Sequence, residues 1–300
     1  MVDTLRTLVR RFPVLSFFTL AFGLSWLCWM PYVLSDRGLG LVPDIHIPGG
    51  LVGGQLIGVL PGAYLGPLGA AFIVTALAEG RTGLRHWAHR LTHWRVGWRW
   101  FFAVLLLVPA AILLAPLALP KTWGTLTMPS LIVLAAYVPV LIGQIITTAA
   151  AEEPGWRDFA LPRLQERFGP VLGTTILGVL WGAWHLPLFL TEWGGPDKPW
   201  WLPVIFVAGC VPLSLVMTWV FNRTGQSVPL IMLLHAGINS TYSLIWPEVF
   251  PTLESADTMW GQLIASTTAA LILILATRGR LGLQAPARTA PAPAPAPAHL

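Results

Sequence analysis

Three groups of polar residues set in apolar stretches carry the chemistry open to this chain: Glu152-Glu153 with Arg157, Trp181 with His185, and His235 with Asn239. On a helix, Glu153 and Arg157 stand four residues apart and can pair, while Glu152 points about 100° away and stays available. His235 and Asn239 have the same spacing, so both can contact one small polar group from positions about 6 Å apart along the axis. A carboxylate that takes a proton, two imidazoles and a carboxamide that donates are what water attack on an amide needs: a general base and an oxyanion stabiliser. Each group taken alone has a plainer reading. The Glu pair could be a solvated helix end, and each histidine a proton relay or a packed core residue. Their coincidence in one small chain favours a common site. The sequence holds no Gly-x-Ser-x-Gly turn, Cys/His pair or His-Glu-x-x-His helix, so the nucleophile would be water.

The elements that must position these groups are membrane helices. Of 300 residues, 55% are hydrophobic and only 10% charged, against roughly a quarter charged in a soluble domain. A crossing needs about 20 mostly apolar residues, because hydrocarbon supplies no partner for backbone polar groups. Stretches near residues 14–35, 52–78, 100–119, 130–151, 171–191, 201–221, 228–247 and 259–277 qualify, which predicts an all-α polytopic bundle of about eight transmembrane helices. The net charge of +5 is arranged for a membrane rather than for nucleic acid. Of the 18 Lys and Arg, 15 fall on one side of this topology, and only Arg37, Lys121 and Lys198 on the other. The positive-inside rule then puts both termini in the cytoplasm, in a bacterial cytoplasmic membrane, and supports an even number of spans. The first span is too long for a signal-peptide core and is read as retained.

Between the second and third spans, a run of Arg, His and Trp from Gly80 to Arg99 has apolar positions at Leu84, Trp87 and Leu91, the pattern of an interfacial amphipathic helix. His86, His89 and His93 on it lack a carboxylate or Cys companion and are left out of the site. Cys28 and Cys210 lie in spans and read as small apolar residues. Residues 1–283 form the membrane domain, with the polar core at 133–246, and the Ala/Pro-rich stretch 284–300 reads as a disordered cytoplasmic tail. The Gly- and Pro-rich second span, residues 52–78, could be a broken helix, as in a transporter.

With these residues in hand, the chain resembles the CAAX protease and bacteriocin-processing (CPBP) family of intramembrane endopeptidases, in particular its type II CAAX prenyl endopeptidase-like members. The family pattern of EExxxR, an aromatic followed by xxxH, and HxxxN reads here as Glu152-Glu153 with Arg157, Trp181 with His185, and His235 with Asn239. Trp181 stands where many members have Phe. The resemblance implies that Glu152 activates water, His185 helps to hold it, His235 and Asn239 stabilise the oxyanion, and Glu153 and Arg157 orient the motif. It leaves two mechanisms open: a divalent metal such as zinc, with Glu152, His185 and His235 as ligands, or a metal-free glutamate mechanism. The partners implied are the lipid bilayer and a peptide substrate, with prenylated C-terminal peptides the best-known class among relatives. A proton-coupled transporter, and a catalytically silent scaffold or bacteriocin self-immunity protein, are the competing readings. The predicted spans leave one difficulty: Glu152 falls at the cytoplasmic end of the fourth and His185 several turns into the fifth. The site closes only if the fourth span ends later or the fifth starts later, for instance with residues 158–168 lying along the interface.

Overall fold

Proline and serine mark where the helices begin. Pro13, Pro170, Pro203 and Pro229 occupy first-turn positions, where a missing N–H costs nothing, and the hydroxyls of Ser130 and Ser227 accept from Val133 and Leu230. The computed structural model describes residues 2–118, 122–124, 126–195 and 198–284, and the described residues contain helices and no strand. Residues 285–300 of the expected tail lie outside them. Eight helices among the described residues are long and apolar enough to cross a membrane. In chain order these spans are Pro13–Leu34, Gly53–Ala78, Trp98–Leu117, Leu131–Phe168, Pro170–Leu190, Leu202–Arg223, Val228–Val249 and Ala256–Ala276. An amphipathic helix, Val2–Arg11, precedes the first span, and another, Gly80–Leu91, follows the second.

The second span is one unbroken helix, which removes the feature that favoured transport. Its small residues serve close packing against the first span. A Cβ at Gly58 would meet the Tyr32 ring at 2.6 Å, one at Gly62 would meet Trp29 Nε1 at 2.3 Å, and one at Gly66 would meet Ser25 Oγ at 1.8 Å. The same contacts satisfy backbone carbonyls. Trp29 Nε1 donates to Val59 O at 2.8 Å, and Ser25 Oγ donates to Gly62 O at 2.7 Å, the carbonyl five residues before Pro67, whose ring nitrogen cannot donate.

The fourth span departs most from expectation. It does not end at residue 151 but runs 38 residues to Phe168, about 57 Å at 1.5 Å per residue. Pro154-Gly155 reads as a stop signal, yet the helix passes through it in wide turns over Ile145–Ala149 and Pro154–Ala160. Tertiary packing explains the override. Every residue from Ala151 to Leu161 is buried, and Gly155 sits so close to the second span that a Cβ there would be 2.5 Å from Pro67 O. Trp87 of the amphipathic helix donates from Nε1 to Pro154 O at 3.1 Å, and Arg90 pairs with buried Asp158. Residues 158–168 are thus a continuation of the fourth helix rather than a separate interfacial segment.

Gly169, at φ +78°, turns the chain straight into the fifth span. Glu152 lies 17 positions before this glycine and His185 16 after it, so the two stand level in a helical hairpin. That register removes the depth difficulty: the fourth span ends later.

Candidate active site

Gln144, Thr148 and Glu152 recur every four residues along the fourth span, and Thr148 Oγ1 donates to Gln144 Oε1 at 3.0 Å. This polar ladder forms one wall of a cavity of about 730 Å³, which His185, His235 and Asn239 also line. Trp181 ties the three motifs together. Its indole Nε1 donates to Glu152 Oε2 at 2.7 Å, and its carbonyl accepts from His185 Nδ1 at 2.9 Å. Its ring meets that of His235 edge-on, centroids 5.5 Å apart, while the Arg157 guanidinium sits 4.2 Å from its centroid.

The hydrogen bonds decide which atoms remain for chemistry. A carbonyl can only accept, so His185 Nδ1 carries the proton and Nε2 is left with its lone pair. His235 Nδ1 lies 2.7 Å from Glu153 Oε1 and donates to it, which likewise leaves Nε2 as its other functional atom. Arg157 Nη1 reaches the same Glu153 oxygen at 3.4 Å, as the four-residue spacing predicts. Arg157 and Glu153 are both fully buried, and Arg157 Nη2 is held further by Ser214 Oγ at 3.3 Å and Met217 Sδ at 3.2 Å. Glu153 is thus engaged by both His235 and Arg157, while Glu152, bonded at Oε2 by Trp181, lines the cavity. Asn239 Nδ2 points at Gln144 Oε1 over 3.5 Å, a long contact that leaves its amide able to donate elsewhere.

All seven residues picked out by motif thus come together, and His86, His89 and His93 lie outside the cavity lining. Gln144, Ser214 and Met217 were not anticipated. Gln144 had a signal in its place on the Glu152 face of an apolar span, whereas Ser214 and Met217 look like ordinary packing residues in sequence. Cys210, expected to be inert packing, is unpaired and buried on the cavity wall. Trp184, Trp193, Phe206 and Trp246 supply much of the remaining wall, so the space around the polar groups is aromatic. Among the described residues no three His, Cys, Asp or Glu side chains are grouped to hold a metal ion.

Comparison with known proteins agrees with the motifs. The family model described as type II CAAX prenyl endopeptidase Rce1-like matches residues 134–241, the stretch that contains every residue of the three motifs. A curated relative, CAAX prenyl protease 2 of Methanococcus maripaludis, is 27% identical over 150 residues, covering 47% of this chain. The chain spans about half the length of that relative, 55%. By motif, by family model and by relative, residues 134–241 of this chain are similar to the Rce1-like type II CAAX prenyl endopeptidases.

Proposed function

We propose that this protein is an intramembrane endopeptidase that hydrolyses a peptide bond with water activated by Glu152. The observation that carries the reading is the gathering of Glu152, His185, His235 and Asn239 on one cavity wall around Trp181. The likeness to a CAAX prenyl protease supports it independently.

Water sits between Glu152 Oε1 and His185 Nε2, donating to both, because each is an acceptor once its neighbouring atom is committed to Trp181. Glu152 takes one proton as the water oxygen attacks the carbonyl carbon. The oxyanion that forms is met by Asn239 Nδ2–H and, in the doubly protonated form of His235, by its Nε2–H, the ring being held through Nδ1 by Glu153. Collapse of the tetrahedral intermediate breaks the C–N bond, and Glu152 returns its proton to the leaving amine. Water is consumed, and a carboxylic acid and an amine leave, which ionise to carboxylate and ammonium in water.

Among the described residues no three-ligand group forms, and Glu152 Oε2 is already bonded by an indole N–H. On that ground the proposed mechanism is the glutamate one, and a chelator tests it. The aromatic cavity fits an apolar peptide, and prenylated C-terminal peptides are the first class to try, given the name of the relative.

The test incubates purified wild type and Glu152→Gln in liposomes with a fluorogenic peptide library that includes prenylated members, with and without a chelator. Cleavage that disappears in the variant and survives chelation supports the proposal. Chelator-sensitive cleavage overturns the metal-free form, and a folded wild type that cleaves nothing overturns the protease reading.

A further inference from the structure

His235 and Asn239 stand four residues apart on the seventh span, and the fourth span holds each of them by a different side chain. His235 is held through Nδ1 by Glu153, while Asn239 donates from Nδ2 to Gln144 Oε1 at 3.5 Å. Among the described residues that contact is the only hydrogen bond of the Asn239 side chain. The two spans run antiparallel, so the step forward from His235 to Asn239 on one is met by a step back from Glu153 to Gln144 on the other.

Gln144 reaches the cavity because the fourth helix is wound wide at this point. In a regular helix, the eight residues from Gln144 to Glu152 make two full turns and about 80° more, which would swing Gln144 off the face that carries Glu152. The wide turn over Ile145–Ala149 takes up an extra residue and returns the two to one face, so both line the cavity with Thr148 between them. Thr148 Oγ1 donates to Gln144 Oε1 at 3.0 Å. An amide oxygen has two lone pairs, and Thr148 and Asn239 use both, which fixes the Gln144 carboxamide with its oxygen toward Asn239.

A carboxamide donates on one side and accepts on the other, and a half-turn about its terminal bond exchanges the two. Turned the wrong way, Asn239 would set an oxygen against a developing oxyanion and repel it. Facing Gln144 Oε1, it must present its amide nitrogen, with one N–H to Gln144 and the second left for the cavity. We infer that Gln144 is a positioning residue for the hydrolysis: it selects the donor orientation of Asn239 and so completes the oxyanion site without touching the reacting atoms. This role rests on the protease reading, and it acts on the chemical step alone.

The test measures single-turnover rates with enzyme in excess, and steady-state constants, on a peptide that wild type cleaves. The variants are Gln144→Met, Gln144→Glu, Asn239→Ala and the double variant Gln144→Met with Asn239→Ala, each with a melting curve. Gln144→Met keeps the length of the side chain without its acceptor and lowers kcat roughly threefold to tenfold, the worth of one neutral hydrogen bond, with KM and thermal midpoint near wild type. Gln144→Glu keeps an oxygen for Asn239 and most of the rate. In the Asn239→Ala background, Gln144→Met costs nothing further, because the group through which it acts is gone. The inference is overturned, with the protease left standing, by a loss that repeats in full in that background, by a matching fall in thermal midpoint, by a rise in KM alone, or by an unchanged kcat. Where Asn239→Ala is too slow to read, the split between kcat and KM and the recovery in Gln144→Glu decide. A folded wild type that cleaves no peptide overturns the protease reading, and the positioning role with it.

Discussion

The indole N–H of Trp181 donates to Glu152 Oε2 across 2.7 Å, a contact between the fifth and fourth spans that the level register of their hairpin makes possible. It fixes one oxygen of a carboxylate that lines the cavity, so that in the proposed mechanism the base is oriented before any substrate arrives. A phenylalanine at this position would keep the aromatic wall and the face under Arg157 but lose the donor. A hydrogen bond to a charged group is worth about 1.5–3 kcal/mol, which corresponds to a loss of roughly tenfold to hundredfold in rate. Trp181→Phe is expected to fold, to keep KM near wild type and to lose kcat by about that range. Steady-state kinetics on any cleaved peptide would test this, and an unchanged kcat would show that the contact does not position the base.

Glu153 joins two cationic or potentially cationic partners, Arg157 and His235, in a space without solvent. Removing one partner from a buried charged network costs about 3–5 kcal/mol, because the charge left behind has neither water nor counter-ion. Glu153→Ala should therefore lower the thermal midpoint in detergent as well as abolish activity, whereas Glu152→Gln should abolish activity with little loss of stability. Paired melting curves and cleavage assays on the two variants check the division. Equal stability of the two would mean that Glu153 is not the structural member of the pair.

Much of this arrangement is legible in the sequence because membranes constrain it so strongly. The eight spans follow from apolar length alone, and the three motifs follow from the cost of polar groups in hydrocarbon. The end of the fourth helix does not, since Pro154-Gly155 is a local stop signal that only long-range contacts, Gly155 against Pro67 and Trp87 against Pro154 O, override. The role of Trp181 is hidden for a related reason: nothing local tells that its indole nitrogen will face a carboxylate 29 positions earlier. The glycines of the second span were ambiguous between a break and a packing face, and the partner that decides between them, the first span, enters only in three dimensions.

Those glycines give a prediction that is purely structural. Gly62 faces Trp29 and Ser25, and a methyl group there would lie 2.3 Å from Trp29 Nε1 and 2.9 Å from the Ser25 carbonyl oxygen, so a backbone as well as a side chain must move. Overpacking of this kind costs about 1–3 kcal/mol. Gly62→Ala should lower the thermal midpoint, while Gly143→Ala, with open space around its Cβ position, should leave it unchanged or raise it through better helix propensity. Equal midpoints for the two would show that the first and second spans are less closely packed than this.

The amphipathic helix Gly80–Leu91 docks on the fourth span through the ion pair of its N-cap Glu79 with Arg163 and through Arg90 with Asp158, whose carboxylate is fully buried while Arg90 keeps some exposure. Losing Arg90 strands that carboxylate. Arg90→Met should accordingly destabilise the docked helix by an amount at the low end of the roughly 3–5 kcal/mol seen when buried pairs are broken, because Arg90 itself is partly solvated. Arg85→Met on the same helix removes an equal charge from an exposed position and should change almost nothing. Hydrogen exchange resolves the difference: backbone amides of 80–91 should lose protection in Arg90→Met alone. Because Asp158 lies on the same helix as Glu153 and Arg157, activity in Arg90→Met should fall with that loss of protection. Full activity alongside an unprotected helix would show that the site holds without it.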